Sequence, residues 1–342
     1  MTNPRSPDIL LFDANAIGYA AMYQPALAQM KFKGRSTAAL HGLPVSIFRL
    51  RRLYPNATPI ILWDGRCQWR YDLYPDYKSD RWVEPEKAAI RAEYRFQTPF
   101  LRQLFFAMGL PQVGHPDTEA DDVAGLIARN MPKDLHIQLV TTDSDWVQAM
   151  DHNVSWFNPR VDVLTTVEDL RSPDFKDGPF DSPEQYIQAK CMAGDESDSI
   201  AGVKGIGLKT AAKALREYGS FESLWGRADA GEAFRGAKLL SMLTPEARET
   251  YSINRSIMDW TYAPIPPDLA INMPAPDRDR AADIAQDWGL KKLAEQIKSH
   301  VVDQDYWRDH ILAVERAMHY REHDESVLGL SRFPSHRAHV PG

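Results

Sequence analysis

Acidic residues recur along this 342-residue chain at places where a folded polypeptide can gather them. Asp13 ends the apolar run Ile9-Leu10-Leu11-Phe12, and Asp64 ends Pro59-Ile60-Ile61-Leu62-Trp63. Asp143 and Asp145 follow Ile137-Gln138-Leu139-Val140-Thr141-Thr142. Glu119, Asp121 and Asp122 open a stretch that continues Val-Ala-Gly-Leu-Ile-Ala, and Asp195 and Asp198 complete the set. Carboxylate oxygens are what a hard divalent cation takes as ligands. Acids in a first helical turn also suit the helix dipole, and Asp after a strand is a common turn or capping residue. Three carboxylates in four residues carry more mutual repulsion than a cap needs, and a cation relieves it.

A second chemistry follows at once. Gly202-Val203-Lys204-Gly205-Ile206-Gly207-Leu208-Lys209-Thr210-Ala211 reads as a tight glycine hairpin leading into a helix. Gly205 and Gly207 can take positive φ and leave backbone N–H groups bare. The helix start adds further free N–H groups and the positive end of the dipole. Such a nest binds phosphate without consulting a base. Gly-x-Gly alone is as readily a plain turn; the acidic pair just before it favours the functional reading, because metal beside phosphate backbone is a nuclease combination.

Basic residues lie between the acidic groups. Residues 65–81, Gly-Arg-Cys-Gln-Trp-Arg-Tyr-Asp-Leu-Tyr-Pro-Asp-Tyr-Lys-Ser-Asp-Arg, interleave cations and aromatics as a nucleic-acid surface does. Lys87, Arg91 and Arg95 recur every four residues, one stripe on a helix. A charged stripe is more often a solvated face; its place between the aromatic-basic stretch and the next acids makes nucleic-acid contact an even match. Arg49, Arg51 and Arg52 are better explained as cations at a helix C-terminus. His319 and His323 have i, i+4 metal spacing, but no third ligand accompanies them, and a solvated tail holding His300, His336 and His339 is the better reading.

These residues need a scaffold. Near-continuous apolar runs with helical stretches between them predict a buried, mainly parallel sheet, with Val154-Ser155-Trp156-Phe157 as a further strand. Ligand sites in such sheets lie beyond the C-terminal strand ends, where the Asp residues fall. Helices are predicted over 37–54, 84–107, 208–218, 245–258, 278–298 and 303–322, and one starts at Ser182-Pro183. Residues 160–182 and 261–277 read as connections, and the final twenty or so as a polar tail.

Composition is that of an ordinary globular protein, long enough for one large or two medium domains. The net charge of −7 argues against nucleic acid only superficially, since setting the site carboxylates aside leaves a mildly basic chain. Cys67 and Cys191 make no metal spacing, and no signal peptide or membrane-length apolar run is visible. A reduced, cytoplasmic setting is expected (host cytoplasm if the source is viral).

The ordered set Asp13, Asp64, Glu119-Ala120-Asp121-Asp122, Asp143-Ser144-Asp145 and Gly194-Asp195-Glu196-Ser197-Asp198, followed by the hairpin glycines, resembles the 5′ nuclease superfamily of flap endonucleases and 5′→3′ exonucleases over roughly residues 8–295. With no polymerase domain attached, the chain looks more like the bacteriophage-type exonuclease branch. The resemblance implies a PIN-like α/β nuclease core over 1–182, with a helical arch at about 82–117 lined by Lys87, Arg91 and Arg95. It implies a helical subdomain with a helix-hairpin-helix over 183–300, and a C-terminal helix and tail over 301–342. It implies two Mg²⁺ or Mn²⁺ ions. Asp13, Asp64, Glu119 and Asp121 would hold the first; Asp143, Asp145 and Asp195 the second, with Asp122 and Asp198 bound directly or through water. Tyr77-Lys78-Ser79-Asp80-Arg81 resembles the family's Tyr-Lys-x-x-Arg. Lys78 and Arg81 would contact the scissile phosphate, with Arg70 nearby. The backbone at Gly202, Gly205 and Gly207, with Lys204, Lys209 and Lys213, would bind duplex DNA, with K⁺ a candidate bridging ion. Substrates would be DNA with a 5′ end, flap or nick, and RNA–DNA hybrid is an open extension.

Other readings fit less of the chain. A haloacid-dehalogenase-like phosphatase needs an Asp two residues after the first, where this chain has Asn15. A PIN-like ribonuclease is shorter and lacks the helical subdomain. A non-catalytic DNA-structure-binding protein would keep the hairpin and lose acids, yet all are present.

Overall fold

The computed structural model describes residues 5–176, 178–299 and 303–320. Its centre is a six-stranded sheet: β1 (Ile9–Asp13), β2 (Thr58–Trp63), β3 (Gln112–Gly114), β4 (Ile137–Val140), β5 (Val154–Asn158) and β6 (Val163–Thr165). The order is β3-β2-β1-β4-β5-β6, parallel except for the antiparallel β5–β6 pair. Every residue of β1, β2 and β4 is buried, as their unbroken apolar character requires. The register pairs Asp13 with Leu62 and Phe12 with Val140, so Asp13, Asp64 and Asp143 leave the sheet at one edge.

The predicted helices form with small changes. Ala38–Leu53, Leu208–Tyr218 and Pro245–Met258 lie where apolar periodicity places them. Ser182 caps Pro183–Ala193 by accepting from the Gln185 N–H, with Pro183 in the first turn. The helix expected over 278–298 is two, Arg278–Asp287 and Lys291–Ser299, broken at Gly289, whose φ of +71° is left-handed. The C-terminal helix is Gln304–His319. His300, His323, His336 and His339 lie outside the described residues, so the His319/His323 pair is not represented.

Two expectations need correction. The arch expected over 82–117 is a single helix, Pro85–Ala107, followed by edge strand β3. Tyr94, Leu101, Leu104 and Phe105 bury that helix from its middle onward, so only its first turns stand clear of the core. Second, the helical subdomain closes at Met258 rather than near 300. One apolar core joins Val147, Tyr186, Ile206, Leu215, Phe221 and Ile257. Beyond the proline-rich segment the chain returns to the sheet, where Ala281, Leu293, Trp307 and Val314 enter the first core. At the junction Trp260 lies against Gly125, where a Cβ would come 2.4 Å from the indole. Gln148 bridges the two parts, donating to the Met258 carbonyl and accepting from the Trp260 N–H.

Candidate active site and nucleic-acid interface

Each acid at the sheet edge is held by its own local structure. Asp13 caps helix Ala14–Tyr23, its Oδ1 accepting from Ala16 N at 2.8 Å and its Oδ2 from Thr141 Oγ1 at 2.7 Å. Asp64 accepts from Asn15 Nδ2 at 2.7 Å and from Ala120 N at 2.9 Å. Trp146 Nε1 donates to Asp121 at 2.7 Å, and Asp145 N to Asp143 at 2.9 Å. A small hairpin pairing Gly194–Asp195 with Ile200–Ala201 carries the last two acids.

Crowding sets the electrostatics. Burial, then repulsion from Asp64, pushes the Asp13 carboxyl up to about 7. Burial, then Asp143, does the same to Asp145, also to about 7. Asp64, Asp121 and Asp143 are raised as well, chiefly by burial; the charges of Asp143, Asp64, Asp13 and Glu119 all bear on Asp121. These groups share one field of crowded negative charge that the nearby cations only partly offset.

Protein cations neutralise the remaining acids. Glu119 accepts from Lys78 Nζ at 2.5 Å, Tyr77 OH at 2.9 Å and Arg70 Nη1 at 3.1 Å. Burial opposes its charge, but Lys78 and Arg70 outweigh that and hold it down at about 2. Arg81 donates to Asp198 at 2.7 Å. Lys190 joins Asp145 at 2.5 Å to Asp195 at 2.7 Å and keeps Asp195 low against its own burial. Lys190 was absent from the sequence reading. Its only signal was a lone lysine on a helix, Pro183–Ala193, otherwise buried on all sides.

Three assigned residues sit differently from expectation. Asp122 is 1% exposed and turns toward Arg70, which grips it at 2.6 and 2.8 Å, and toward the N–H of Glu119 in a capping box. Arg70 is 3% exposed and also donates to the Ile257 carbonyl, so it is a buried strut between the two cores with no face open to a phosphate. Tyr77 is likewise buried. Among the described residues no three His, Cys, Asp or Glu side chains already converge as a metal cluster.

The helix stripe is mixed. Lys87 pairs with Glu84, and Arg91 donates to the Arg81 carbonyl. Arg95, Arg91 and Arg81 all act on the Tyr19 hydroxyl, as does Asp64, so the stripe borders the acidic edge. Across the site the hairpin glycines divide by role. Gly205 has φ +78° and, like Gly207, open space where a Cβ would stand. Gly207 precedes the first turn of helix Leu208–Tyr218 as its N-cap. Gly202 instead packs on the end of the preceding helix, where a Cβ would lie 1.9 Å from the Ala193 carbonyl. Lys204, Lys209 and Lys213 are exposed around this nest.

The 5′-3′ exonuclease N-terminal, resolvase-like domain matches residues 8–174, and the 5′-3′ exonuclease C-terminal SAM fold matches residues 181–261. The chain belongs to the 5′-3′ exonuclease family. DNA polymerase I of Deinococcus radiodurans is 30% identical over 260 residues, covering 75% of this chain and 26% of the polymerase. DNA polymerase I of Streptococcus pneumoniae is 26% identical over 302 residues, covering 86% and 33%. The chain thus spans between a quarter and a third of these relatives. Its fold is similar to T5 5′-exonuclease with bound divalent zinc (TM-score 0.60, 22% identity, 85% of this chain and 98% of that one). It is also similar to human GEN1 in complex with Holliday junction DNA (TM-score 0.54, 12% identity, 91% and 72%). In this exonuclease-family fold the mainly parallel sheet presents the acids, and the helical domain presents the glycine hairpin. Among the described residues no helix is long and apolar enough to cross a membrane.

Proposed function

We propose that this exonuclease-family chain hydrolyses DNA phosphodiester bonds at or beside a 5′ end, flap or nick, using two Mg²⁺ or Mn²⁺ ions. The observation that carries the reading is the crowding of Asp13, Asp64, Asp121, Asp143 and Asp145 at one sheet edge. The positive charges of Lys78 and Arg81 act on Asp64 there. The donor set fits the ions. It is all carboxylate oxygen, it is half-buried to buried, and its mutual repulsion is what a divalent cation relieves.

Asp13, Asp64, Glu119 and Asp121 would hold one ion and Asp143, Asp145 and Asp195 the other, with Asp198 beside the second. Asp122, committed to Arg70, supports the first group by fixing Glu119 from behind. When bound, the ions supply an activated water and charge stabilisation for the leaving 3′ oxygen. Lys78 and Arg81 orient the scissile phosphate and meet its developing charge. Tyr77 and Arg70 keep Glu119 aimed. The bare N–H groups around Gly205 and Gly207, with Lys204, Lys209 and Lys213, hold the duplex backbone without regard to sequence, with K⁺ a candidate bridging ion. Products would carry 5′-phosphate and 3′-hydroxyl ends, and the RNA strand of an RNA–DNA hybrid is a further candidate substrate. A phage replication role is part of the same reading, and a reduced cytoplasm agrees with two buried free thiols, Cys67 and Cys191.

Incubation with a 5′-labelled flap duplex in Mg²⁺, in Mn²⁺ and in EDTA tests this reading, with product ends determined by ligation. Metal-dependent cleavage leaving ligatable 5′-phosphates is expected. Cleavage that persists in EDTA would overturn the metal assignment, and duplex binding without cleavage would reduce the chain to a DNA-structure-binding protein.

A further inference from the structure

A cavity of about 650 Å³ lies away from the carboxylates. It opens on the outer edge of the sheet, between helix Pro85–Ala107, strand β3 and the start of helix Arg278–Asp287. Its floor is Trp63, the residue before Asp64, so cavity and acidic edge share the end of one strand.

Two guanidinium groups belong to this cavity, those of Arg102 and Arg280, both exposed. Among the described residues neither forms an ion pair with a carboxylate. Arg102 lies over the Trp63 ring, 4.8 Å from its centroid. Gly114 leaves it room, since a Cβ there would stand 3.3 Å from Arg102 Nη2. The one acid in the lining, Asp277, uses Oδ1 to cap its helix by accepting from Arg280 N at 2.9 Å. The wall is apolar. Phe106, one turn beyond Arg102, is 48% exposed, and Ile284 stands in the same lining. Asn272 is pinned through its backbone to Gln112 and is exposed.

Unpaired guanidinium groups beside an exposed aromatic and an amide are the elements that recognise a phosphate, a base face and a base edge. The volume lies within the roughly 300–1,000 Å³ of small-ligand sites. Arg102 also continues the basic stripe, falling seven residues after Arg95 and therefore on the same helix face. About 10 Å of helix separates the two positions, a spacing that one or two nucleotides can bridge.

We propose that this pocket holds one nucleotide unit, with its phosphate on Arg102 and Arg280 and its base against Phe106. The nucleotide belongs to an unpaired strand lying along the helix stripe; a released nucleoside 5′-monophosphate has the same chemistry. The inference rests on the nuclease reading for its biological use, but the pocket is testable apart from cleavage.

Binding of (dT)6 and of dTMP is measured by calorimetry in EDTA, where no cleavage occurs, for the wild type, Phe106→Ala and Arg280→Glu. Thermal midpoints check folding, and both side chains are exposed, so loss of fold is not expected. The expected result is a loss of (dT)6 affinity of about tenfold in each variant, the scale of one charge-assisted or stacking contact. Blunt-duplex binding should stay unchanged in both, while Lys209→Ala weakens it. Loss of dTMP binding alone assigns the pocket to the product. Unchanged binding of both probes in both folded variants overturns the proposal. Wild-type protein that binds (dT)6 through these residues yet cuts no flap in Mg²⁺ removes the nuclease reading and leaves the pocket standing.

Discussion

The ammonium of Lys190 stands 2.5 Å from the Asp145 carboxylate and reaches Asp195 at 2.7 Å with its other side. One ammonium and two carboxylates thus form a compact cluster, largely withdrawn from solvent, at the boundary between the nuclease core and the helical domain. A lysine here does in the metal-free protein what a cation would do, which gives its removal a specific signature. Lys190→Met should destabilise the protein in EDTA by about 3 kcal/mol, the usual cost of leaving buried charge unpaired. Added Mg²⁺ should recover much of that loss, because it compensates the same carboxylates. Urea unfolding with and without Mg²⁺ measures both, and equal losses in the two conditions would mean that Lys190 and the ions do not share ligands.

The raised acids make stability depend on pH in an unusual direction. Asp13 and Asp145 sit at about 7 in the folded chain against 3.8 when unperturbed. Between those values the folded state binds protons that the unfolded state has released. Their contribution is therefore fully present at low pH and is lost as pH rises toward 7. Glu119, held at about 2, acts oppositely, and its stabilisation disappears only as pH falls below its ordinary 4.5. In EDTA the urea midpoint should fall between about pH 5.5 and about pH 7.5, and Mg²⁺, which binds the deprotonated acids, should shrink that fall. A midpoint that rises across this interval in EDTA contradicts the shared acidic field.

Arg70 should fail as a strut rather than as a substrate contact. Arg70→Ala leaves Asp122 without its buried cation, removes one of the three donors to Glu119 and frees the Ile257 carbonyl. A loss of about 3–5 kcal/mol is expected. Asp122→Ala in the same background should cost far less than it does alone. Additive losses in that double-mutant cycle would show that the pair does not act as a unit.

The hairpin prediction concerns salt. Lys204→Ala and Lys209→Ala should each weaken duplex binding at every sequence and reduce the magnitude of the log–log salt slope by about one. Fluorescence anisotropy at several KCl concentrations reads this directly, and slopes equal to wild type would place the duplex elsewhere.

Much of the scaffold was legible because the sheet imposes simple demands. Burial on both faces makes β1, β2 and β4 apolar without interruption, and each of these runs gives way to an Asp at its end or within three residues of it. Strand β3 is not legible in the sequence because its three residues, Gln112–Gly114, are too few to carry a period. The return of residues beyond 260 to the first core was illegible for a different reason, since a proline-rich connection gives no direction. Side-chain pairing was the least readable level. Asp122 and Asp121 are neighbours of one type. The helix turns one to Arg70 and the other to Trp146 and the acidic edge, and only the fold separates their roles.

The most direct test of the account compares wild type with Asp145→Asn on one 5′-labelled flap duplex in Mg²⁺, with DNA binding measured alongside. Asn keeps a carbonyl for Lys190 and mimics the uncharged acid, so the fold and the duplex contacts should remain. Cleavage is expected to fall by at least about a hundredfold, the scale of losing one charge-stabilising group, while the dissociation constant for the flap changes little. Cleavage at the wild-type rate in a folded, DNA-binding Asp145→Asn protein would contradict it.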